Sequence, residues 1–212
     1  ALAAMPVMEG KCVLFKEFAD VNAIPIVLDT QDTEEIIRTV ANIAPTFGGI
    51  NLEDISAPRC FEIEERLKSM LDIPVFHDDQ HGTAIVVLAG IINALRVTGK
   101  QKETCRVVVN GAGSAGIAIT KLLLTYGFKH VTMCDKFGII GKDYPDLNWM
   151  QQKMTEVTNL EKQTGTLADA LRGADIFVGV SAPNIVSAEM VASMNKDAIL
   201  FAMANPVPEI MP

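Results

Sequence analysis

The stretch Arg106-Val107-Val108-Val109-Asn110-Gly111-Ala112-Gly113-Ser114-Ala115-Gly116 decides the fold of this chain. Its β-branched apolar run, Arg106–Asn110, reads as a buried strand. Three glycines at G-x-G-x-x-G spacing follow directly, and Ser114–Tyr126 then reads as a helix stopped by Gly127. Strand, glycine turn and helix in that order form a dinucleotide-binding fingerprint. Gly111 permits the tight turn, Gly113 lets a pyrophosphate approach the backbone, and Gly116 lets helix and strand pack closely. Ser114 and Ala115 open the helix, whose first amides and positive end suit phosphate. Asp135 ends the next expected strand, 131–134, 19 residues beyond Gly116. Its carboxylate can accept hydrogen bonds from ribose hydroxyls and would repel a 2′-phosphate, which favours NAD over NADP. Lys136 works against that preference by offsetting charge. The competing explanation is a structural glycine turn beside a solvated aspartate.

Outward from this unit the alternation continues. Beyond it come a Gly-, Asp- and Pro-rich loop at 137–149 and helical patterns at 149–158, 167–171 and 188–194, with strands at 176–180 and 198–203. Before it, helices at 6–19, 34–43, 58–71 and 83–97 are separated by short strands at 24–28, 49–52 and 74–76. Thr33 is the expected cap of the second helix and Pro58 falls near the first position of the third. The pattern predicts an α/β protein of two domains. Residues 1–80 form the first and 81–212 the second, a Rossmann-like domain with a mostly parallel sheet and helices on both faces. Both ends read as cut: residue 1 is Ala, and Asn205-Pro206-Val207-Pro208-Glu209 reads as a loop leaving a strand. A portion of a longer chain is the expectation.

The first domain carries two further signals. Leu52-Glu53-Asp54 and His77-Asp78-Asp79 each set adjacent carboxylates directly after a short apolar run. Ligands of open α/β sheets sit outside the carboxyl ends of the strands. Carboxylates gathered there need a cation or protons to neutralise them, and oxygen-only ligation favours Mg²⁺ or Mn²⁺. One such pair alone would read as a solvated turn; two at strand ends are harder to dismiss. Lys11 is the third element. Val7, Lys11, Leu14, Phe15 and Phe18 share one face of the first helix, so Lys11 occupies a position expected to be apolar. It reads either as a lysine packing its stem on the core or as a partly buried general base. His77 and His81 flank the acidic pair and read as structural or supporting residues, while His130 reads as a surface residue.

Composition narrows the classes. Hydrophobic residues make up 49% and charged residues 21%, which fits a packed globular protein. The net charge of −8, with no basic block longer than two residues, argues against nucleic acid and anionic membrane as partners. The longest apolar run, 83–95, contains Gly90 and Asn93 and reads as a buried helix short of transmembrane length. Cys12, Cys60, Cys105 and Cys134 form no C-x-x-C and read as reduced, buried thiols of a cytoplasmic protein.

Three segments carry a family resemblance. Met5-Pro6-Val7-Met8-Glu9-Gly10-Lys11, Phe47-Gly48-Gly49-Ile50-Asn51-Leu52-Glu53-Asp54-Ile55 and Pro74-Val75-Phe76-His77-Asp78-Asp79-Gln80-His81-Gly82-Thr83 resemble the bacterial, short-chain malic enzymes, and the likeness extends to Asn205-Pro206. The resemblance implies oxidative decarboxylation of L-malate to pyruvate and CO₂ with a nicotinamide cofactor and Mg²⁺ or Mn²⁺. It implies Glu53, Asp54 and Asp79 as metal ligands and Lys11 as the base that removes the malate hydroxyl proton. It further implies Asp78 as the carboxylate beside that lysine and Asn205 as a substrate- and cofactor-side residue. A homodimer or larger assembly is also implied. The family's catalytic tyrosine and carboxylate-gripping arginine fall upstream of residue 1, and a second substrate asparagine falls beyond Pro212. Alternatives are an oxaloacetate decarboxylase of the same family and a non-catalytic nucleotide-binding fragment.

Overall fold

A computed structural model describes residues 2–212. The chain divides into two compact units, Ala1–Ile55 with Arg59–Phe76, and Ser56–Pro58 with His77–Pro212.

In the first unit α1 spans Met5–Ala19, with a proline in its first turn, and ends at Asp20 in the left-handed conformation. There the amides of Asp20 and Val21 bond back to the carbonyls of Lys16 and Phe15. α2 spans Thr33–Ile43 and α3 spans Arg59–Met70. Two short strands, β1 (Ile50–Leu52) and β2 (Val75–His77), pair in a two-stranded sheet whose last residue, His77, opens the second unit. The core is small. Ile36, Ile37 and Val40 of α2 pack with Ile63 and Leu67 of α3 and with Leu52 and Val75 of the strands. Glu34 and Glu35 occupy the first turn of α2, where the helix dipole favours carboxylates.

Three expectations are corrected here. Asp32, not Thr33, caps α2: its carboxylate accepts the Glu35 amide at 2.8 Å, and Thr33 becomes the first helical residue. Residues 24–28 form no strand. Pro25 has no N–H to offer a ladder, and Ile24 and Ile26 are exposed rather than packed. The apolar face of α1 is not a core face either: α1 contains no buried residue, and Val7, Leu14 and Phe18 are exposed. Periodicity says which residues share a face, not whether anything covers it.

The second unit begins with α4 (Asp78–Thr98) and continues with β3 (Arg106–Asn110), α5 (Ser114–Tyr126), β4 (His130–Asp135) and β5 (Gly138–Ile139). Then follow α6 (Trp149–Met154), α7 (Leu167–Leu171), β6 (Ile176–Gly179), α8 (Ala188–Ala192) and β7 (Ile199–Ala202). The sheet order is β5-β4-β3-β6-β7; β3, β4, β6 and β7 are mutually parallel and the short β5 runs antiparallel. β5 lies inside the segment expected to be wholly loop. Strand alternation sorts the core into two layers. Val107, Val109, Ile176 and Val178 meet Ala84, Val87 and Ile91 of α4 and Ile119 and Leu123 of α5. Val108 and Phe177 meet Ala170 and Leu171 of α7, with Met190 and Val191 of α8 against them.

α4 departs from expectation in two ways. By length and composition alone it is long and apolar enough to cross a membrane. Asp78-Asp79-Gln80-His81 are helical rather than loop, and this turn extends the segment to 21 residues. It is also not buried all round: Ala84, Val87 and Ile91 face the sheet while Ile85, Val86 and Val97 are exposed.

Candidate active site and dinucleotide site

The chain order places β4 on one side of β3 and β6 on the other, so the strand order reverses at the carboxyl end of β3. Such a switch point opens a crevice between the loops that leave the two neighbouring strands. Gly111 lies there in the left-handed region with φ +109°, and a Cβ on it would stand 2.6 Å from the Val180 carbonyl oxygen. Its amide donates to the Cys134 carbonyl at 2.9 Å. At Gly116 a Cβ would lie 1.7 Å from the Gly111 carbonyl oxygen, so α5 can rest on the turn only with glycine at that position. Gly113 differs from both: a Cβ there would meet nothing within 4 Å. It is also the N-cap of α5 and offers no side-chain cap to the amides of Ala115 and Gly116. An open backbone at the positive end of a 13-residue helix fits a pyrophosphate.

Asp135 closes β4 beside this loop. Its Oδ1 accepts the Lys136 amide at 2.9 Å, and Gln151 Nε2 approaches Oδ2 at 3.5 Å. The same Gln151 nitrogen donates to the Ala112 carbonyl at 3.1 Å, so one side chain spans the glycine loop and the acid. Its Oε1 accepts the Asn148 amide in a capping box at the start of α6. Gln151 escaped the sequence reading, although Asn148-x-x-Gln151 is a legible cap signature. The Lys136 ammonium stands 4.7 Å from the centre of the Phe137 ring. On the other flank Asn110 Nδ2 donates to Ser181 Oγ at 2.7 Å, and the buried Glu209 carboxylate accepts the amides of Ser181 and Ala204. Asn205 follows, exposed, in a cis peptide bond with Pro206. Ser181 and Glu209 were also missed, because nothing local to either sequence position shows that they meet.

In the first unit, Lys11 Nζ of α1 lies 3.0 Å from Glu53 Oε2, just past β1, with side-chain exposures of 26% and 7%. Asn51 Nδ2 donates to the same oxygen at 3.3 Å. Asp54 follows in the left-handed region at φ +56° and is exposed. This ion pair was not foreseen from the sequence, since Lys11 and Glu53 lie on separate elements. In the second unit, Asp78 and Asp79 form the first turn of α4. The Asp78 carboxylate lies back over Gly82, where a Cβ would come within 2.2 Å of Oδ1, so the glycine makes room for it.

Other titratable groups stand apart. His130 opens β4 at the end of the sheet opposite the glycine loop, 3.3 Å from Glu161. His77 is fully buried and His81 half-buried. Burial pushes the Cys134 thiol up to about 12, with the Asp135 carboxylate adding to the rise, and burial likewise raises Cys105. Neither is a thiolate near neutral pH. Cys60 is buried, whereas Cys12 is only half-buried, which corrects its reading as a core thiol.

A parallel sheet with its glycine turn at the switch point defines an α/β protein with a Rossmann-like dinucleotide-binding domain. Family models give the class its particulars. Residues 1–68 match the malic enzyme N-terminal domain and residues 80–210 match the malic enzyme NAD-binding domain. The chain belongs to the malic enzyme family. It is 60% identical over 210 residues to an NAD-dependent malic enzyme of Geobacillus stearothermophilus, covering 99% of this chain and 44% of that protein. It is 51% identical to an NADP-dependent malic enzyme of Rhizobium meliloti, covering 100% of this chain and 28% of that protein. The crystal structure of an NAD-dependent malic enzyme from Thermotoga maritima superposes with a TM-score of 0.97 at 50% identity, covering 100% of this chain and 56% of that one. The chain therefore spans about half or less of the length of these relatives.

Proposed function

We propose that this chain carries the core of an enzyme that oxidatively decarboxylates L-malate to pyruvate and CO₂ with NAD and Mg²⁺ or Mn²⁺. The observation that carries the reading is the pairing of Lys11 Nζ with Glu53 Oε2 at 3.0 Å, with Asp54 next in the chain. A lysine, able to carry a proton to or from a substrate, stands beside carboxylates of the kind a hard cation requires.

Lys11, in its uncharged form, takes the malate hydroxyl proton, and Asp78 is the carboxylate that tunes it. Glu53, Asp54 and Asp79 hold the cation; an all-oxygen donor set suits Mg²⁺ or Mn²⁺, with water and substrate oxygens completing the shell. When bound, the cation would polarise the substrate oxygens and NAD would accept the hydride. Gly111, Gly113, Ser114, Ala115 and Gly116 receive the pyrophosphate at the start of α5. Asp135 receives ribose hydroxyls, which supports NAD over NADP even though relatives of both kinds match the chain. Asn205, exposed beyond β7, contacts the substrate on the cofactor side. Residues 1–80 thus serve substrate and metal, and residues 81–212 serve the dinucleotide and, through Asn205, the substrate. The reading takes the protein as a cytoplasmic homodimer or larger homo-oligomer, with neither nucleic acid nor membrane as a partner.

The test is NADH formation from L-malate by the natural full-length protein, with and without Mn²⁺, repeated with NADP. Metal-dependent turnover faster with NAD is the expected result. Consumption of oxaloacetate with no NADH from malate would replace the reading by a decarboxylase, and binding of NAD with no turnover of either acid would reduce it to a nucleotide-binding module.

A further inference from the structure

Glu209 is a fully buried carboxylate that no step of the proposed reaction uses. Its Oε1 accepts the Ser181 amide at 2.9 Å and its Oε2 accepts the Ala204 amide at 3.0 Å. Ser181 lies two residues beyond β6, and Ala204 two residues beyond β7. The side chain therefore ties together the loops that leave two neighbouring parallel strands. The Ser181 hydroxyl, 3.5 Å from Oε1, also accepts Asn110 Nδ2 at 2.7 Å, which extends the chain of bonds to the last residue of β3. The backbone around Glu209 is itself anchored. Val186 donates to the Glu209 carbonyl and Asn184 to the Pro208 carbonyl, each at 3.0 Å. A Cβ at Gly179 would stand 2.4 Å from Glu209 Cδ, so β6 ends in the one residue that leaves space for the carboxylate.

A buried carboxylate is a costly way to fill space; an apolar side chain would fill it with no desolvation cost. What a carboxylate adds is two acceptor oxygens on one rigid group, able to hold amides from two separate strands at once. One of those amides belongs to the residue directly before Asn205. We propose that Glu209 is a positioning residue that sets Asn205 toward the substrate by clamping the Ala204 peptide to the turn after β6, an inference that rests on the malate reading of this site. Asn205 is exposed, with a short side chain, and the clamped Ala204 amide fixes the peptide plane one removed from its own. The bonds Asn110–Ser181–Glu209–Ala204 then join the entry to the glycine turn with the substrate-side asparagine along the carboxyl edge of the sheet.

Glu209→Gln is the deciding variant in the natural full-length protein. Glutamine keeps the size but has one acceptor oxygen, so one of the two backbone amides is left facing an NH₂ group. The Ala204 or Ser181 amide should exchange its hydrogen about tenfold faster, and kcat/KM for malate should fall by about tenfold, as for the loss of one buried acceptor. In an Asn205→Ala background the same substitution should cost little further activity, because both changes remove one effect. A loss of equal size in both backgrounds would make Glu209 merely structural, and unchanged exchange at both amides would remove the clamp. Absence of malate turnover in the unsubstituted protein would overturn the malate reading, whereas the exchange measurement decides the clamp separately. If Glu209→Gln does not fold, Glu209→Asp, with both oxygens on a shorter arm, goes through the same cycle.

Discussion

In the second unit the central strands are closed on both faces, with Val107 and Val109 against α4 and α5 and Phe177 against α7 and α8. In the first unit α1 has no fully buried residue and holds Val13, Leu14 and Phe18 in solvent, while the core rests on α2, α3 and two short strands. The chemistry is divided the same way. The unit with the thick core carries a backbone-built site, in which glycines and strand ends fix the geometry. The unit with the thin core carries a side-chain-built site, in which the Lys11–Glu53 pair must be held by a helix that contributes little packing of its own. A site made of backbone inherits the stability of its sheet, whereas one made of long side chains depends on whatever supports the helix beneath it.

The largest test of this contrast is functional. Lys11→Ala should lower malate turnover by about 10²–10⁴-fold, the range for loss of a general base. NAD affinity should change by no more than about twofold, as for independent sites. NADH formation and an NAD titration on the same variant read both; a parallel loss of NAD affinity would show that the two sites are not separable.

Packing gives the next test. Phe177 is fully buried, and Phe177→Ala should cost about 3–5 kcal/mol in urea unfolding. Phe18 is 82% exposed, and Phe18→Ala should stay within about 0.5 kcal/mol. A large loss at Phe18 would mean that the apolar face of α1 is covered in solution.

A smaller loss than at Phe177 is expected at Asp175. Burial pushes its carboxyl up, but bonds from Lys100 Nζ, the Arg106 amide and the Asn195 side chain outweigh that and hold it below the usual value. A carboxyl held low in the folded state stabilises it above the unfolded value and loses that contribution as pH falls through the folded one. Asp175→Asn should therefore cost about 1.5–3 kcal/mol near neutral pH, the range for hydrogen bonds to a charged group. The gap between variant and parent should hold steady above about pH 5 and narrow below about pH 4. A gap independent of pH in thermal unfolding would show that the charge contributes nothing.

Much of the second unit was legible because its signals are local. Strand Arg106–Asn110, the glycine spacing and Gly127 each announce themselves within a few residues, and the observed helix runs over Ser114–Tyr126 as expected. The first unit was less legible for the same physical reason. Pro25 sits inside a run whose composition otherwise reads as strand, and α1 has the period of a core helix without a core to face. Among the candidate site residues, those that share a motif were readable together. Lys11 with Glu53, Gln151 with Ala112, and Ser181 with Glu209 are pairings made by tertiary structure, and spacing carries no trace of them.

The contact between Gly116 and Gly111 has an evolutionary side. Buried positions in a protein fail when atoms are removed, and a scan that trims side chains to alanine finds them. Position 116 fails in the opposite sense, because a single methyl group would stand 1.7 Å from a carbonyl oxygen. There alanine is an enlargement, and a sequence drifting by small steps has no neighbouring residue to step to. The dinucleotide loop is guarded by an empty volume, which no gradual change of side chain can cross.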